Sequence, residues 1–225
     1  TLLRNGYPDW LLLKRGDIWN NETFSQIPIG QWDPTDPRKS GRSASEPLLV
    51  ASYGNATERP LLKGFTKAPF AIRSGDAGLN INYVARVGIE FYSSLTDPNS
   101  PDINGIAPTN CIDRLTPGDW FYIEDCKFSF CGISISSGRV TNFTLRRSSI
   151  TDTYSSTSAH SGGMFLGGGS GVHGILLEDN LFDHDGWNED FDLILRPVTT
   201  DPALWMTIHD ARFRIKVNGT YYDIS

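Results

Sequence analysis

Apolar and polar positions follow one pattern in three six-residue segments of the chain, residues 123–128, 145–150 and 177–182. Each segment has an apolar residue, two charged residues, a small or polar residue, a variable residue and a second apolar residue. The first two copies start 22 residues apart and the last two 32, so the longer interval is one 22-residue unit with ten residues inserted. A period with variable insertions is typical of a solenoid, in which each unit contacts only its neighbours.

Short strands can be followed through each unit. Residues 133–136 alternate between isoleucine and serine, which is the period of a half-buried strand. Further strands are predicted at residues 140–145, 149–150, 163–166, 173–177 and 181–182. Apolar spacing nowhere favours a long helix. The pattern therefore predicts an all-β fold, a right-handed parallel β-helix with coils of about 22 residues and loop insertions.

Alignment of the coils predicts which side chains stack. Ile133 should lie over Met164, and Ile135 should lie over Leu166. One further column should contain Phe128, Ile150 and Phe182. Burial of these columns between coils would supply the core.

The bend in each repeat is predicted to hold an inward polar residue, which satisfies backbone amides left unpaired at the corner. The equivalent residues are Cys126, Ser148 and Asn180. Asn180 suits the position best, because asparagine tolerates left-handed backbone angles, and Cys126 is predicted to be a packed structural residue rather than a reactive thiol. Beside them, an outward column of alternating charge should contain Asp125, Arg147 and Asp179.

The repeat is weaker towards both ends of the chain. Strands are predicted within residues 9–17 and 46–54, and long surface loops at residues 27–45 and 96–108. After Trp187 the coil pattern fades, although residues 191–195, 205–208 and 213–217 have strand character. We therefore assign residues 1–190 to the coils and residues 191–225 to a C-terminal segment, which is either a cap or a truncated end.

Composition excludes several classes of protein. The 225 residues are 39% hydrophobic and 20% charged, which is typical of an ordered chain, and the net charge of −6 argues against a nucleic-acid partner. No apolar run approaches the roughly 20 residues of a membrane span. Three cysteines are too few and too irregular for a disulfide scaffold or a zinc knuckle.

Several segments carry a resemblance to a known family. Residues 9–17, 43–47, 52–54, 59–60 and 178–187 resemble bacterial right-handed parallel β-helix repeat proteins, which are related in fold to pectate lyases, other polysaccharide lyases and several glycoside hydrolases. The resemblance covers residues 9–187 and implies a secreted, carbohydrate-active protein, extracellular or periplasmic. Family members usually have further strand and leader sequence before Asp9, and a fragment of a longer chain is one explanation of this difference.

Acidic residues and histidines cluster after the last clear coil. Asp183 and Asp185 are two apart on an extended segment and can face the same side, where a carboxylate pair could serve as general acid and base or hold Ca²⁺. The catalytic candidates are Glu178, Asp183, His184, Asp185 and, from the inserted loop, His160. The alternative is that the acidic turns are solvated and that His184 caps the bend.

The inserted loop, residues 153–163, is expected to build one wall of a binding groove. By register with Ser134, Phe165 should point outward beside it, either to stack on a sugar ring or to pack under the loop. Tyr154 and Trp187 are the other candidates for substrate binding. Lyases of the resembling fold often use Lys or Arg as base and acid, and the basic residues nearest the repeat are Arg146 and Arg147.

Two functions follow as expectations. The first is a polysaccharide lyase or glycoside hydrolase that acts in a shallow groove on a linear polysaccharide; the net negative charge is awkward for a polyanionic substrate, so a neutral glycan stays open. The second is a non-catalytic glycan-binding or structural solenoid, or an inactive fragment. An open coil end is a sheet edge that recruits partners, and we expect a monomer or a weak dimer.

Overall fold

A computed structural model of the chain describes residues 3–22, 39–64, 69–72, 80–103, 110–114, 118–137, 140–153, 162–166, 173–183, 207–209, 212–217 and 220–224. The regular structure of these residues is entirely β-strand. Within the same ranges, no helix is long and apolar enough to cross a membrane.

Nineteen strands are described, and most are short. They are β1 (Trp10–Lys14), β2 (Ile18–Asn20), β3 (Leu48–Tyr53), β4 (Leu61–Lys63), β5 (Phe70–Ile72), β6 (Val84–Val87), β7 (Glu90–Tyr92), β8 (Ile112–Arg114), β9 (Gly118–Glu124), β10 (Lys127–Ser129), β11 (Ile133–Ser137), β12 (Val140–Arg146), β13 (Ser149–Thr151), β14 (Gly162–Leu166), β15 (His173–Glu178), β16 (Leu181–Asp183), β17 (Thr207–His209), β18 (Arg212–Val217) and β19 (Thr220–Ile224).

The strands form three sheets. Sheet 1 has the order β1-β3-β6-β9-β12-β15-β17, sheet 2 the order β19-β18-β16-β13-β10-β7-β4-β2, and sheet 3 the order β14-β11-β8-β5. Strands β9, β10 and β11 belong to sheets 1, 2 and 3 in turn, and β12, β13 and β14 repeat that order. Neighbouring strands are parallel apart from β18 and β19. The prediction of an all-β chain with parallel strands is therefore confirmed.

The predicted aromatic column lies in sheet 2. Phe128 pairs in register with Phe91 on one side and with Ile150 on the other, and Ile150 pairs with Phe182. The rings of Phe91 and Phe128 are stacked, with centroids 4.7 Å apart, and both side chains are fully buried. Equivalent positions of successive strands therefore build the core, as the repeat predicts.

The predicted stacking in sheet 3 is wrong by two residues. Ile135 pairs with Met164 and Ile133 with Gly162, so neither lies over the residue expected from sequence. Ile135 and Met164 are 29 residues apart, whereas the strands of sheet 1 pair at a separation of 32, as Thr144 does with Leu176. The inserted residues are thus divided between the two connections that flank β14, and sequence alignment placed the division incorrectly.

The alternation predicted for β11 also fails in one place. Ser134 is completely buried, as is Ile135, so this strand is not half-buried at that position. Phe165 pairs in register with Ser136 rather than with Ser134. Its side chain is 56% exposed, and the predicted outward orientation is therefore correct although the register is not.

The predicted polar bend between sheets 1 and 2 is confirmed. The side chains of Cys126, Ser148 and Asn180 are all buried there. Ser148 Oγ accepts a hydrogen bond from the Cys126 amide (3.1 Å), and Asn180 Oδ1 accepts one from the Ser148 amide (3.0 Å). Asn180 Nδ2 also donates to the Leu145 carbonyl (2.7 Å). Each side chain thus satisfies backbone groups of the preceding repeat.

The left-handed backbone at this bend lies one residue earlier than predicted. Asp125, Arg147 and Asp179 have φ angles of 52°, 47° and 53°, so the strained position belongs to the outward residue and not to Asn180. The charges of this column also find other partners: Asp125 forms ion pairs with Arg59 and Arg15, and Arg147 forms one with Glu124.

The three cysteines, too few for a disulfide scaffold, nevertheless form one disulfide. Cys111, just before β8, is bonded to Cys131, just before β11, and so joins adjacent strands of sheet 3 across 20 residues. The cysteines were too few to suggest this pair, because only the stacking of the coils brings them together. Cys126 is free and buried, and burial raises the pKa of its thiol to about 12, in agreement with a structural role.

Two predicted loop and tail regions are partly described. Within the loop predicted at residues 96–108, Thr96 is buried and its Oγ1 donates to the Phe130 carbonyl (2.6 Å), while buried Asp97 accepts a hydrogen bond from the Tyr92 hydroxyl (2.7 Å). This part of the loop is therefore packed rather than superficial.

Beyond residue 190, β17 and β18 continue sheets 1 and 2 in parallel, and β19 adds to β18 in the antiparallel direction.

Candidate functional site

The outward face of sheet 1 carries a cluster of polar and aromatic side chains. Along β9, Phe121 and Ile123 are buried while Tyr122 and Glu124 lie on the opposite side, as strand alternation requires. The register of β9, β12 and β15 then sets three charged residues side by side. This row, Glu124, Arg146 and Glu178, is called the ladder below.

The arginine of the ladder is shared by both carboxylates. Its Nε lies 3.5 Å from Glu124 Oε1 and 3.3 Å from Glu178 Oε2, so one nitrogen atom contacts a carboxylate oxygen of each glutamate. Neither contact is a hydrogen bond, and the ladder is held by charge attraction. All three side chains are less than one-third exposed, which shields the attraction from solvent.

Glu124 has two further partners. The Tyr122 hydroxyl donates a hydrogen bond to Glu124 Oε2 (2.6 Å), and Arg147, at the start of the bend, forms an ion pair with Glu124 Oε1. With a side chain only 14% exposed, Glu124 is the most enclosed member of the ladder. Its carboxylate is therefore oriented by three neighbours at once.

An aromatic pair adjoins the ladder on β9. The rings of Trp120 and Tyr122 are stacked, with centroids 5.5 Å apart and an angle of 7° between their planes. Trp120 has a left-handed backbone (φ 55°), a feature repeated at Asn142 in β12 and at Gly174 in β15. Both aromatic side chains are partly exposed, so the face offers an apolar surface next to charged groups.

A second polar group lies where the strands of sheet 1 begin. Asn142 Nδ2 donates to Asp119 Oδ1 (2.8 Å), and the Asp119 amide donates to Asn82 Oδ1 (2.8 Å). Thr141 pairs in register with Asp119 on one side and with His173 on the other. The outward face therefore has polar groups at both ends of its strands and aromatic rings between them.

The structure places three of the residues predicted for the site on three different sheets. Glu178 ends β15 in sheet 1, Asp183 ends β16 in sheet 2, and Phe165 lies on β14 in sheet 3. Among these, only Glu178 belongs to the cluster on sheet 1. The remaining predicted residues lie outside the described ranges: Tyr154, His160, His184, Asp185 and Trp187.

Of the two residues predicted to hold calcium, the structure describes Asp183 but not Asp185, which lies outside the described ranges. Among the residues that the structure describes, no group of three or more His, Cys, Asp or Glu side chains could hold a metal ion.

Sequence reasoning missed Glu124, Tyr122 and Trp120, although a signal for the first was present. The ladder is formed by the first charged residue of each six-residue repeat, which alternates in sign just as the second charged residue does. Only the second position was predicted to form a column of alternating charge, although Glu178, at the first position, was a catalytic candidate. Tyr122 and Trp120 precede the first repeat and have no counterparts in the later copies, so no pattern could have identified them.

Comparison with protein-family models, with curated proteins and with solved structures finds no match to this chain. The resemblance to pectate lyase-like proteins therefore stays a prediction.

Proposed function

We propose that the chain is a right-handed parallel β-helix protein that binds a linear polysaccharide along the outward face of sheet 1 and cleaves it, as a glycoside hydrolase or a polysaccharide lyase. The observation that carries the proposal is the sharing of Arg146 by Glu124 and Glu178 beside the stacked rings of Trp120 and Tyr122. The regular passage of the chain through three parallel sheets supports the β-helix part of the proposal.

The geometry of a parallel sheet suits a linear polymer. Neighbouring strands are about 4.8 Å apart, so a polymer that crosses β9, β12 and β15 meets equivalent side chains at regular intervals. Partly exposed aromatic rings provide an apolar surface for sugar rings, and carboxylates and guanidinium groups hydrogen-bond to hydroxyls. Two carboxylates on either side of a glycosidic bond are also what acid–base cleavage requires.

The disulfide supports a location outside the reducing cytoplasm. Bonds such as Cys111–Cys131 persist mainly in secreted or periplasmic proteins, because cytoplasmic thiols are kept reduced. An extracellular or periplasmic location is accordingly part of the proposal; a bacterial source is proposed from the resemblance alone, and a monomer or weak dimer from the open sheet edges.

An activity screen of the purified chain tests cleavage. The chain is incubated with neutral and acidic polysaccharides, with and without EDTA, while reducing ends and the absorbance of unsaturated products are followed. Reducing ends without absorbance indicate a hydrolase, and absorbance that EDTA abolishes indicates a calcium-assisted lyase. Glu124→Gln and Glu178→Gln should each abolish product formation, whereas Glu46→Gln, in an exposed ion pair with Arg42, should have no effect.

A second candidate is non-catalytic glycan binding by the same face. It is favoured by the ion pairs themselves, because a carboxylate held by Arg146 or Arg147 has to leave that cation before it can act on a substrate. Under this alternative, polysaccharides slow the migration of the chain in affinity electrophoresis, but no products form with any of them. Formation of products that require Glu124 or Glu178 would contradict it.

A further inference from the structure

The outward face formed by β9, β12, β15 and the bends that follow them has an excess of negative charge. Its acidic residues are Asp119, Glu124, Asp125, Glu178 and Asp179. Its basic residues are Arg146 and Arg147, and both form ion pairs with ladder carboxylates. Arg15 and Arg59, from earlier in the chain, form ion pairs with Asp125 on the same face. An acidic polysaccharide would therefore have to displace a carboxylate of the protein from each of these cations that it contacted.

We infer that the ligand of this face is a neutral linear polysaccharide. The inference rests on the proposed function and deepens it. The two ladder carboxylates are compensated by the guanidinium groups of Arg146 and Arg147, so the row offers hydrogen-bond acceptors and donors without a strong field for a charged polymer. The Trp120–Tyr122 pair adds apolar contact that does not depend on ligand charge.

A neutral ligand also decides between the two reactions. Lyases remove the proton on the carbon beside a uronic acid carboxyl group, and that carboxyl group makes the proton acidic. A neutral sugar has no such carboxyl group, so cleavage on this face is hydrolysis. The hydroxyl of one water bonds to the anomeric carbon, the bond to the leaving oxygen breaks, and one carboxylic acid protonates that oxygen while the second carboxylate takes the proton from water.

Affinity electrophoresis of the full chain tests the inference. The gels contain a neutral glucan or mannan, an acidic polygalacturonate or alginate, or cationic chitosan. We expect the neutral polymers to retard the chain at least tenfold more strongly, as the ratio of dissociation constants, than the acidic ones. Stronger retardation by an acidic polymer or by chitosan overturns the inference but leaves polysaccharide binding intact, whereas no retardation by any polymer overturns the proposed function as well.

Charge variants give a second, independent reading. In the double variant Glu124→Gln/Glu178→Gln, Arg146 and Arg147 lose their ladder carboxylates, and binding of the acidic polymer should rise several-fold and weaken again at high salt. If acidic polymers gain nothing in a double variant that keeps the native circular dichroism spectrum, the charge argument is wrong.

The aromatic contribution is separated by Tyr122→Ala, which should weaken neutral binding several-fold. The matched control is Tyr7→Ala, because Tyr7 is 43% exposed before β1, where it contacts Arg4 and Arg42. Equal losses for the two variants would contradict a ligand seated on β9.

Discussion

Glu124 and Glu178 lie two strands apart in sheet 1, and each has a carboxylate oxygen within 3.5 Å of the same atom, Nε of Arg146. Without the arginine, two partly buried carboxylates would face each other across β12. The ladder therefore contributes to stability and also forms part of the candidate site. Variants that lack it can be tested both for the free energy of unfolding and for polysaccharide binding.

Replacement of Arg146 by Gln should destabilise the fold, because it leaves Glu178 without its ladder partner and Glu124 with Arg147 as its remaining cation, beside the Tyr122 hydroxyl. We expect a loss of about 1 kcal/mol in the free energy of unfolding, measured by urea denaturation, with a smaller loss in 1 M salt. Arg42→Gln, which breaks an exposed pair with Glu46, is the control and should change stability by much less. Equal effects of the two substitutions would show that the ladder is not shielded.

Asn180→Ala should lower the stability of the fold by more than the small change in side-chain size suggests. The change removes both side-chain hydrogen bonds of a buried residue and leaves the Ser148 amide and the Leu145 carbonyl without those partners. Each buried group left unsatisfied costs about 1–3 kcal/mol, so a loss of roughly 3 kcal/mol in urea denaturation is expected. Asn55→Ala, in the exposed loop after β3, should have almost no effect; a similar loss there would refute the bend as the cause.

Reduction of the Cys111–Cys131 disulfide should lower the melting temperature. A cross-link that closes 20 residues restricts the unfolded chain, which corresponds to roughly 3 kcal/mol in the chain-entropy model. The measurement is thermal unfolding with and without dithiothreitol. The Cys111→Ala/Cys131→Ala variant should melt at the lower temperature under both conditions, and a further effect of reductant on this variant would point to some other disulfide.

Cys126 should be unreactive in the folded protein. Its thiol is fully buried and its pKa is raised to about 12, chiefly by burial, so thiolate is scarce at neutral pH. A thiol reagent such as dithionitrobenzoate should label it only in urea. Rapid labelling of the native chain would show that the bend opens readily.

The same pKa shift predicts a pH dependence of stability. Because the folded state favours the neutral thiol, its contribution is complete below the unfolded pKa near 9.0 and is lost as the pH rises through about 12. Urea denaturation between pH 8 and pH 11 should therefore show a decline that is smaller in Cys126→Ala. An identical decline in both proteins would assign the pH dependence to other groups.

The sheet 2 column and the polar bend could be predicted from sequence because both lie inside one six-residue repeat. Phe128, Ile150 and Phe182 occupy the same position of successive copies, and so do Cys126, Ser148 and Asn180. Stacking of coils in register then follows from the period alone. The left-handed residue was misplaced by one position, since tolerance of the asparagine side chain says nothing about which backbone turns.

The candidate site could be predicted only in part. Glu178 was identified from its acidic neighbours, but its pairing with Arg146 depends on which strands are adjacent in sheet 1. The register of sheet 3 could not be predicted either. The ten inserted residues are divided between the connections before and after β14, and their composition does not indicate where the division falls.

The sequence by itself therefore determined that the chain is made of short strands, which residues of each repeat are buried, and where the bend between sheets 1 and 2 falls, because these properties are local and periodic. Only the tertiary structure decided that Cys111 meets Cys131, that Ser134 is buried, and that Glu124 and Glu178 share one arginine. These contacts join residues 20 or more positions apart or depend on what covers a strand, and hydrogen-bond register between strands, rather than local preference, fixes them.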